Sequence, residues 1–471
     1  MRISYIIIAF LMKETKTKIL IHPKNLPGPK GIGFLKYVPG LIKNPLKTLS
    51  KISYRFGKII PFTFAGEELY LINDPGIIQH ILKMNYTNYQ RRKSLLDILP
   101  LLGNGLFASE HEYWVGQRKI LNGAFHSKIV ENYIPEIQNR TNSLIRSWEQ
   151  KARDNEPVEI QGEMKVMMLG ILIRTMFSTD VKFNADSIIH SLDIVLQHAS
   201  IKNHTIRIIN KKLFESIGFP QLKEDKFRNE IKNLDDFVYK MIDDGINGNI
   251  EICGILATLI DELKSGRTDK IKIRDEIMNF LFAGFDTVAE TLTWLFYLLA
   301  CNPEAEDKLH AELKNKLDGC NPDFSNIADL TYTKKIIDET LRLYPAAWAF
   351  FRITTEDDVY ENLKIPARSY LMICPYTLHR NPIIWDEPEL FNPERFESIK
   401  IPDLPMMGYI PFGDGPHICI GKKLAILQTT IITGMVSQKF KFSLATKVKP
   451  KITPGIIIKA KEKINLFVSL R

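Results

Sequence analysis

The sequence predicts a mainly helical fold with a small β-sheet region, and three observations lead there. Apolar residues recur at helical spacing through most of the stretch from Glu110 to Tyr344. Short strand-like runs at 59–72, at 350–360 and near the C-terminus carry the β signal. No repeat, low-complexity block or long linker divides the 471 residues. One large unit is therefore expected over 26–471, behind an arm of residues 1–25.

Composition narrows the class. Hydrophobic residues at 45% and charged ones at 25% suit a globular core and exclude a disordered or fibrous chain. The five cysteines are scattered without a pairing pattern, which predicts a reducing compartment and no disulfide framework. A net charge of +9 favours acidic partners. No nucleic-acid-binding motif is present, so an acidic protein or anionic lipid is preferred over nucleic acid.

The arm begins Arg2 and then runs apolar from Ile3 to Met12, well short of the ~20 residues that span a bilayer. Lysines at 13, 16 and 18 follow instead of a small-residue cleavage site. The expectation is a cytoplasmic protein, with weak peripheral membrane contact through the arm left open. Leu26-Pro27-Gly28-Pro29 makes a rigid entry to the folded unit.

Residues 59–64 and 68–72 read as a hairpin around Ala65-Gly66-Glu67, and Asp74-Pro75-Gly76 opens a short helix ending near Met84. The stretch 85–107 is loop-rich. Helices are expected near 111–122, 136–153, 161–178, 185–200, 223–244, 252–264, 273–300, 303–317 and 332–344. The helix at 273–300 is the longest, roughly 40 Å at 1.5 Å per residue. Its centre, Ala283-Gly284-Phe285-Asp286-Thr287, holds a glycine that costs ~1 kcal/mol relative to alanine. The missing side chain opens a groove against the backbone. Thr287 can bond back to its own helix and distort it, and Asp286 is an acid beside it.

Three further patterns stand out. Trp114 and Arg118 share one helical face, as do Glu339 and Arg342, a pair worth only ~0.2–0.5 kcal/mol if exposed. From Pro411 to Gly421 the chain reads Pro-Phe-Gly-Asp-Gly-Pro-His-Ile-Cys-Ile-Gly, a loop leading into an apolar helix that starts at Lys422. Cys419 thus sits at a helix mouth, where free N–H groups and the helix dipole lower a thiol's pKa. By itself a lone cysteine in a tight turn is more often a buried structural one. A phosphate loop does not fit, because Lys423 follows Lys422.

Taken together, Phe412, Gly415, His417, Cys419 and Gly421 resemble the haem-binding loop of the cytochrome P-450 family. The resemblance runs from Leu26 to the C-terminus with five motifs in order. It implies the family's helical prism around a buried haem b (iron protoporphyrin IX), with Cys419 as the metal ligand. It also implies that Trp114 and Arg118 grip a haem propionate, and that Arg352 and His417 are further propionate contacts. Gly284 becomes part of the oxygen groove, and Asp286 and Thr287 the proton-delivery residues. Glu339, Arg342 and Arg395, from Phe391-Asn392-Pro393-Glu394-Arg395-Phe396, become a buried structural network. A histidine against a propionate would make its bond depend on pH in its own titration range.

The implied activity is a haem-thiolate monooxygenase, inserting one atom of O₂ into an organic substrate. Electrons are expected from NAD(P)H through a separate ferredoxin, flavodoxin or reductase, since no fused redox domain is seen in the sequence. Lys422, Lys423, Arg118 and Lys119 are candidates for a basic docking face; a plainly solvated face explains them equally. The pocket is expected to draw on 94–106, Phe280, Ala283, Ala347, Trp348 and Ile456, mostly apolar and suited to a fatty acid, terpenoid or steroid. Arg91-Arg92-Lys93 at its mouth is a candidate carboxylate grip. A peroxygenase or hydroperoxide isomerase on the same fold, and a non-catalytic haem sensor, are the alternatives. An intact Asp286-Thr287 pair argues against both.

Overall fold

Asn44 accepts a hydrogen bond from Lys47 N, Pro45 fills the first helical position, and Gly57 at φ 91° ends the turn: so α1, Pro45–Phe56, is bounded by its own sequence. The same logic runs through the residues that this computed structural model describes, 20–64, 67–91, 98–198, 222–398 and 407–471. Among them the other helices of eight or more residues begin with α2 (His111–Asn122), α3 (Ile134–Arg153), α4 (Ile160–Met176) and α5 (Ala185–His198). Then come α6 (Leu222–Ile246), α7 (Gly254–Lys264), α8 (Lys270–Gly284) and α9 (Asp286–Cys301). The last are α10 (Pro303–Leu317), α11 (Thr331–Leu343) and α12 (Lys422–Lys439).

The core is built where helices α3, α4, α9 and α12 meet. Helix α3 turns one stripe inward, Ile137, Leu144, Ile145 and Trp148. Helices α4 and α9 are apolar on nearly every side and are buried accordingly. One five-stranded sheet lies to the side, in the order β1 (Ile59–Phe64), β2 (Glu67–Ile72), β8 (Tyr370–Ile373), β5 (Phe350–Thr354), β3 (Tyr89–Gln90). Within it β2 and β8 are parallel and the other neighbours antiparallel. Smaller sheets pair β6 (Asp358–Tyr360) with β7 (Leu363–Ile365), and β4 (Val158–Glu159) with β12 (Asn465–Leu470) and β9 (Phe440–Leu444). The hairpin of β10 (Ile452–Pro454) and β11 (Ile458–Ala460) reaches over the cavity.

The mainly helical reading with small sheets is the architecture observed. The single helix expected at 273–300 is instead two, α8 and α9, broken at Phe285. Thr287 Oγ1 donates to Ala283 O at 2.8 Å across the break, the back-bond its position allows. That leaves α6, with 25 residues, as the longest described helix. Pro75–Gln79 continues as a wider turn to Met84, close to the expected end. The arm to residue 19, the turn at 65–66, residues 92–97 and 199–200 lie outside the described residues. Among those described, no helix is long and apolar enough to cross a membrane.

Candidate active site

The loop before α12 is shaped by two glycines in the left-handed region, Gly413 at φ 69° and Gly415 at φ 74°. A Cβ on Gly415 would lie 1.9 Å from Leu82 O, so no side chain fits there. Cys419 N donates to Phe412 O at 3.0 Å, and Ile418 N to Gly415 O at 3.1 Å. These bonds turn Cys419 toward a cavity of about 2350 Å³, well above the ~300–1,000 Å³ of an ordinary ligand pocket. Its sulfur is open to that cavity while protein encloses it on the outside.

Burial pushes the Cys419 thiol up. The Gly421 N–H, the Arg118 and Lys422 charges and the Lys422 N–H pull it down, but less strongly. The expectation from the helix mouth alone, a lowered pKa, is thus reversed in the protein by itself. Desolvation of a thiolate inside the fold outweighs the helix terminus.

Along one edge of the cavity stand Trp114, Arg118, Arg352, His417 and Arg91. The Trp114 and His417 rings lie 4.0 Å apart, and the Arg91 guanidinium stands 5.8 Å over Trp114. Arg352 donates to Phe351 O at 2.8 Å; burial, then Arg91, push its pKa down to about 9. Neither Arg118 nor Arg352 pairs with a carboxylate among the described residues. Burial and the charges of Arg91, Arg352 and Arg118 push His417 down to about 2. It is neutral at physiological pH, so the expected titration in the ordinary histidine range is absent from the protein alone. Its Nδ1 is buried without a hydrogen-bond partner among the described residues.

The cavity is also lined by Phe280, Ala283, Gly284 and Thr287 from α8 and α9, Ala347 and Trp348 before β5, and Ile456 in the hairpin turn. Trp348 Nε1 donates to Gly455 O at 2.8 Å and so fixes that turn. The space left by Gly284 is not all groove: a Cβ there would meet Leu172 Cδ1 of α4 at 2.8 Å. Its missing side chain lets α4 pack closely, while its backbone still lines the cavity.

Asp286 faces elsewhere. It does not line the cavity; Lys459 Nζ of β11 lies 2.6 Å from its Oδ2, and Lys165 Nζ of α4 lies 3.7 Å from its Oδ1. Lys459 also reaches Asp193 of α5 at 2.7 Å. The sequence reading missed Lys459, Lys165, Asp193 and Glu290. One signal was available: Lys165 stands between Met164 and Val166, at the head of a run that carries no other charge until Arg174.

Behind the loop, Glu339 and Arg342 are fully buried, and Arg342 binds the carboxylate through two bonds of 2.7 and 2.8 Å. Arg395 Nε joins at 3.0 Å. Arg342 also donates to His379, Pro388 and Leu390 carbonyls, and Asn392 N completes the carboxylate. Every charge is therefore met, the condition for burying such a network. None of the three lines the cavity.

Two expectations about charge change. Arg91 is not at a pocket mouth: it pairs with Glu110 at 3.5 Å and donates to Ser109 O, within the cationic edge. Arg92 and Lys93 lie outside the described residues. Arg118 lines the cavity rather than a docking face, whereas Lys119, Lys422 and Lys423 are exposed.

A cationic edge with two arginines lacking carboxylate partners, facing a cavity into which one thiol opens, suits a flat metal complex bearing two carboxylates. Haem is such a group. A family model described as Cytochrome P-450 matches residues 26–467. The chain is 27% identical to cyclooctatin synthase of Streptomyces melanosporofaciens, over 94% of this chain and 95% of that protein. It is 27% identical to cyclooctat-9-en-7-ol 5-monooxygenase of the same organism, over 88% of each. It is 28% identical to the protein LUTEIN DEFICIENT 5, chloroplastic, of Arabidopsis thaliana, over 90% of this chain and 74% of that one.

Proposed function

The chain belongs to the cytochrome P-450 family, as a monooxygenase, and from that premise we propose its substrate class and the roles of its residues. The substrate is lipophilic, hydroxylated or epoxidised by one atom of O₂. The apolar lining from Phe280, Ala283, Ala347, Trp348 and Ile456 supports this reading. So does a relative named for oxygenating cyclooctat-9-en-7-ol, which favours a terpenoid-like or other cyclic alcohol over a fatty acid. Electrons would come from NAD(P)H through a separate ferredoxin, flavodoxin or reductase, and residues 26–471 would form one haem domain.

When bound, haem supplies the oxygen-activating and electron-storing chemistry. Cys419 would hold the metal through sulfur. Arg118, Arg352 and His417 would take the two propionates, with Trp114 and Arg91 packed alongside. A planar, permanently charged guanidinium suits a carboxylate, and burial strengthens each bond. Thr287 holds its proton on Oγ1, now given to Ala283 O at the helix break, where it can turn to a ligand in the cavity. Asp286 holds charge behind it, screened from the cavity by its lysines. Phe280 and Trp348 exclude water from the reacting space.

One observation carries the reading: the Cys419 sulfur opens onto the same cavity that Arg118 and Arg352 line without carboxylate partners. The test is the visible spectrum of the reduced, carbon-monoxide-bound protein, beside Cys419→Ser. A red-shifted Soret band in the wild type, lost in the variant, is expected. A purified chain without haem, or with that band unchanged in the variant, overturns it. NADPH oxidation with a surrogate redox chain and a panel of cyclic alcohols, steroids and fatty acids then tests the substrate class.

A further inference from the structure

Two buried oxygens on α9 have no hydrogen-bond partner among the described residues: Oδ1 of Asp286 and Oε2 of Glu290. They belong to carboxyls one helical turn apart, positions that face each other across ~5–6 Å between Cβ atoms. Asp286 is 2% exposed and Glu290 1%. One orphan needs a donor, and the other can be one.

The charges around them decide which. Lys459 from β11 and Lys165 from α4 face three carboxyls: Asp193 from α5, and Asp286 and Glu290 from α9. Asp193 and Asp286 take the close contacts to the lysines, at 2.7 and 2.6 Å from Lys459. Glu290 has no ion pair among the described residues; its one bond comes from Gln161 Nε2 of α4, 2.6 Å from Oε1. A third carboxylate buried here would be uncompensated, and such a group keeps its proton. Because Gln161 donates to Oε1, that oxygen is the carbonyl and the hydrogen falls on Oε2.

We propose that Glu290 is a protonated carboxylic acid whose Oε2–H is donated to Oδ1 of Asp286, directly or through one water, so that the two hold a reserve proton behind Thr287. The inference rests on the proposed role of Asp286 and Thr287 in proton delivery. Asp286, ion-paired with its lysines, takes the Oε2 proton of Glu290 and passes it on toward Thr287, leaving Glu290 briefly as the anion. Glu290 is refilled by water at Gln161, which lines the cavity. No electrons move in these transfers. Burial first, then the Asp286 charge, push Glu290 up to about 8, against the opposing pull of Lys459, the Gln161 bond and Lys165. Gln161 is a positioning residue.

Infrared difference spectroscopy of the haem-loaded full chain, in H₂O and D₂O, reads this directly. A carboxylic-acid carbonyl band at neutral pH is expected, disappearing as the pH is raised past about 8. Subtracting the spectrum of Glu290→Gln isolates it from the other buried acids that burial pushes up, Glu276, Glu306 and Asp338. Asp286→Asn and Gln161→Leu leave the acid in place and should each shift the band, the first by weakening the acceptor and the second by freeing the carbonyl. A Glu290→Gln spectrum identical to wild type overturns the inference, as does a band that Asp286→Asn leaves unmoved. If Glu290→Gln fails to load haem, the two shifts decide alone. The band needs no turnover, so the two readings fail separately. A chain with the band but without O₂-dependent product refutes the activity; one that turns over without the band refutes the proton pair.

Discussion

Lys459 pairs at 2.6 Å with the buried Asp286, joining a strand of the C-terminal hairpin to the helix that borders the cavity. Since the same Nζ also reaches Asp193, one cation ties α5, α9 and β11 together. Lys459→Met would leave two carboxylates sharing Lys165. Urea unfolding of the haem-loaded protein should register a loss of about 3–5 kcal/mol. Adding Asp286→Asn should restore part of it; strictly additive losses would mean the two side chains do not interact.

Glu339→Gln should be as severe, because it strands the fully buried Arg342 without its carboxylate and removes the bond to Arg395. A loss of about 3–5 kcal/mol is again expected. Arg342→Lys should fare little better, since an ammonium cannot reproduce the two parallel bonds. Yield of folded, haem-loaded protein and its unfolding midpoint measure both.

Arg352 should behave oppositely with and without haem. In the haem-free chain it is a buried cation without a carboxylate partner among the described residues, so Arg352→Leu should make that form more stable. The haem-loaded form should lose a charge-assisted bond worth about 1.5–3 kcal/mol, roughly tenfold or more in haem release. Transfer of haem to a scavenging apoglobin gives the rate. A variant that weakens both forms would remove Arg352 from the propionate assignment.

Glu276 sets a pH dependence whose sign follows from its burial. Its Oε2 accepts from Leu106 N at 3.0 Å, and burial pushes its pKa up from 4.5 to about 8. Between those values the unfolded chain has lost the proton while the folded chain retains it. Stability is therefore fullest below about 4.5 and falls as pH rises to about 8, by roughly 1.4 kcal/mol per pH unit. Glu276→Gln keeps an acceptor for Leu106 and should flatten that slope by one proton. Unfolding midpoints across pH 5–9 check it, and an unchanged slope would mean that Glu276 is ionised in the fold.

Thr287→Val keeps the shape of the side chain but removes the donor that bridges the break to Ala283. Product formed per NADPH consumed should fall several-fold, with the carbon-monoxide spectrum unchanged. Equal coupling in both proteins would take Thr287 out of proton delivery.

Local features of the site were legible in the sequence, and long-range ones were not. The bounds of α2 follow from apolar spacing, and those of α3 and α10 also from prolines at the helix starts, signals that act within a few residues. The loop at Cys419 follows from glycines whose φ angles a side chain would forbid. The break at Phe285 was half-legible: Thr287 could be seen to bond backward, but not that this would end one helix and begin another. The partners of Asp286 come from residues 165 and 459, and nothing near 286 names them. Desolvation is equally non-local. It reversed the expected direction for Cys419 and removed the neutral-range titration of His417, because both depend on what closes around them.

That reversal bears on how the protein is assembled. In the protein by itself, burial favours the hydrogen-bearing form of the Cys419 sulfur. If Cys419 holds the metal as proposed, that proton would have to leave the cavity when the metal is taken up. The charges of Arg118 and Lys422 favour the same departure.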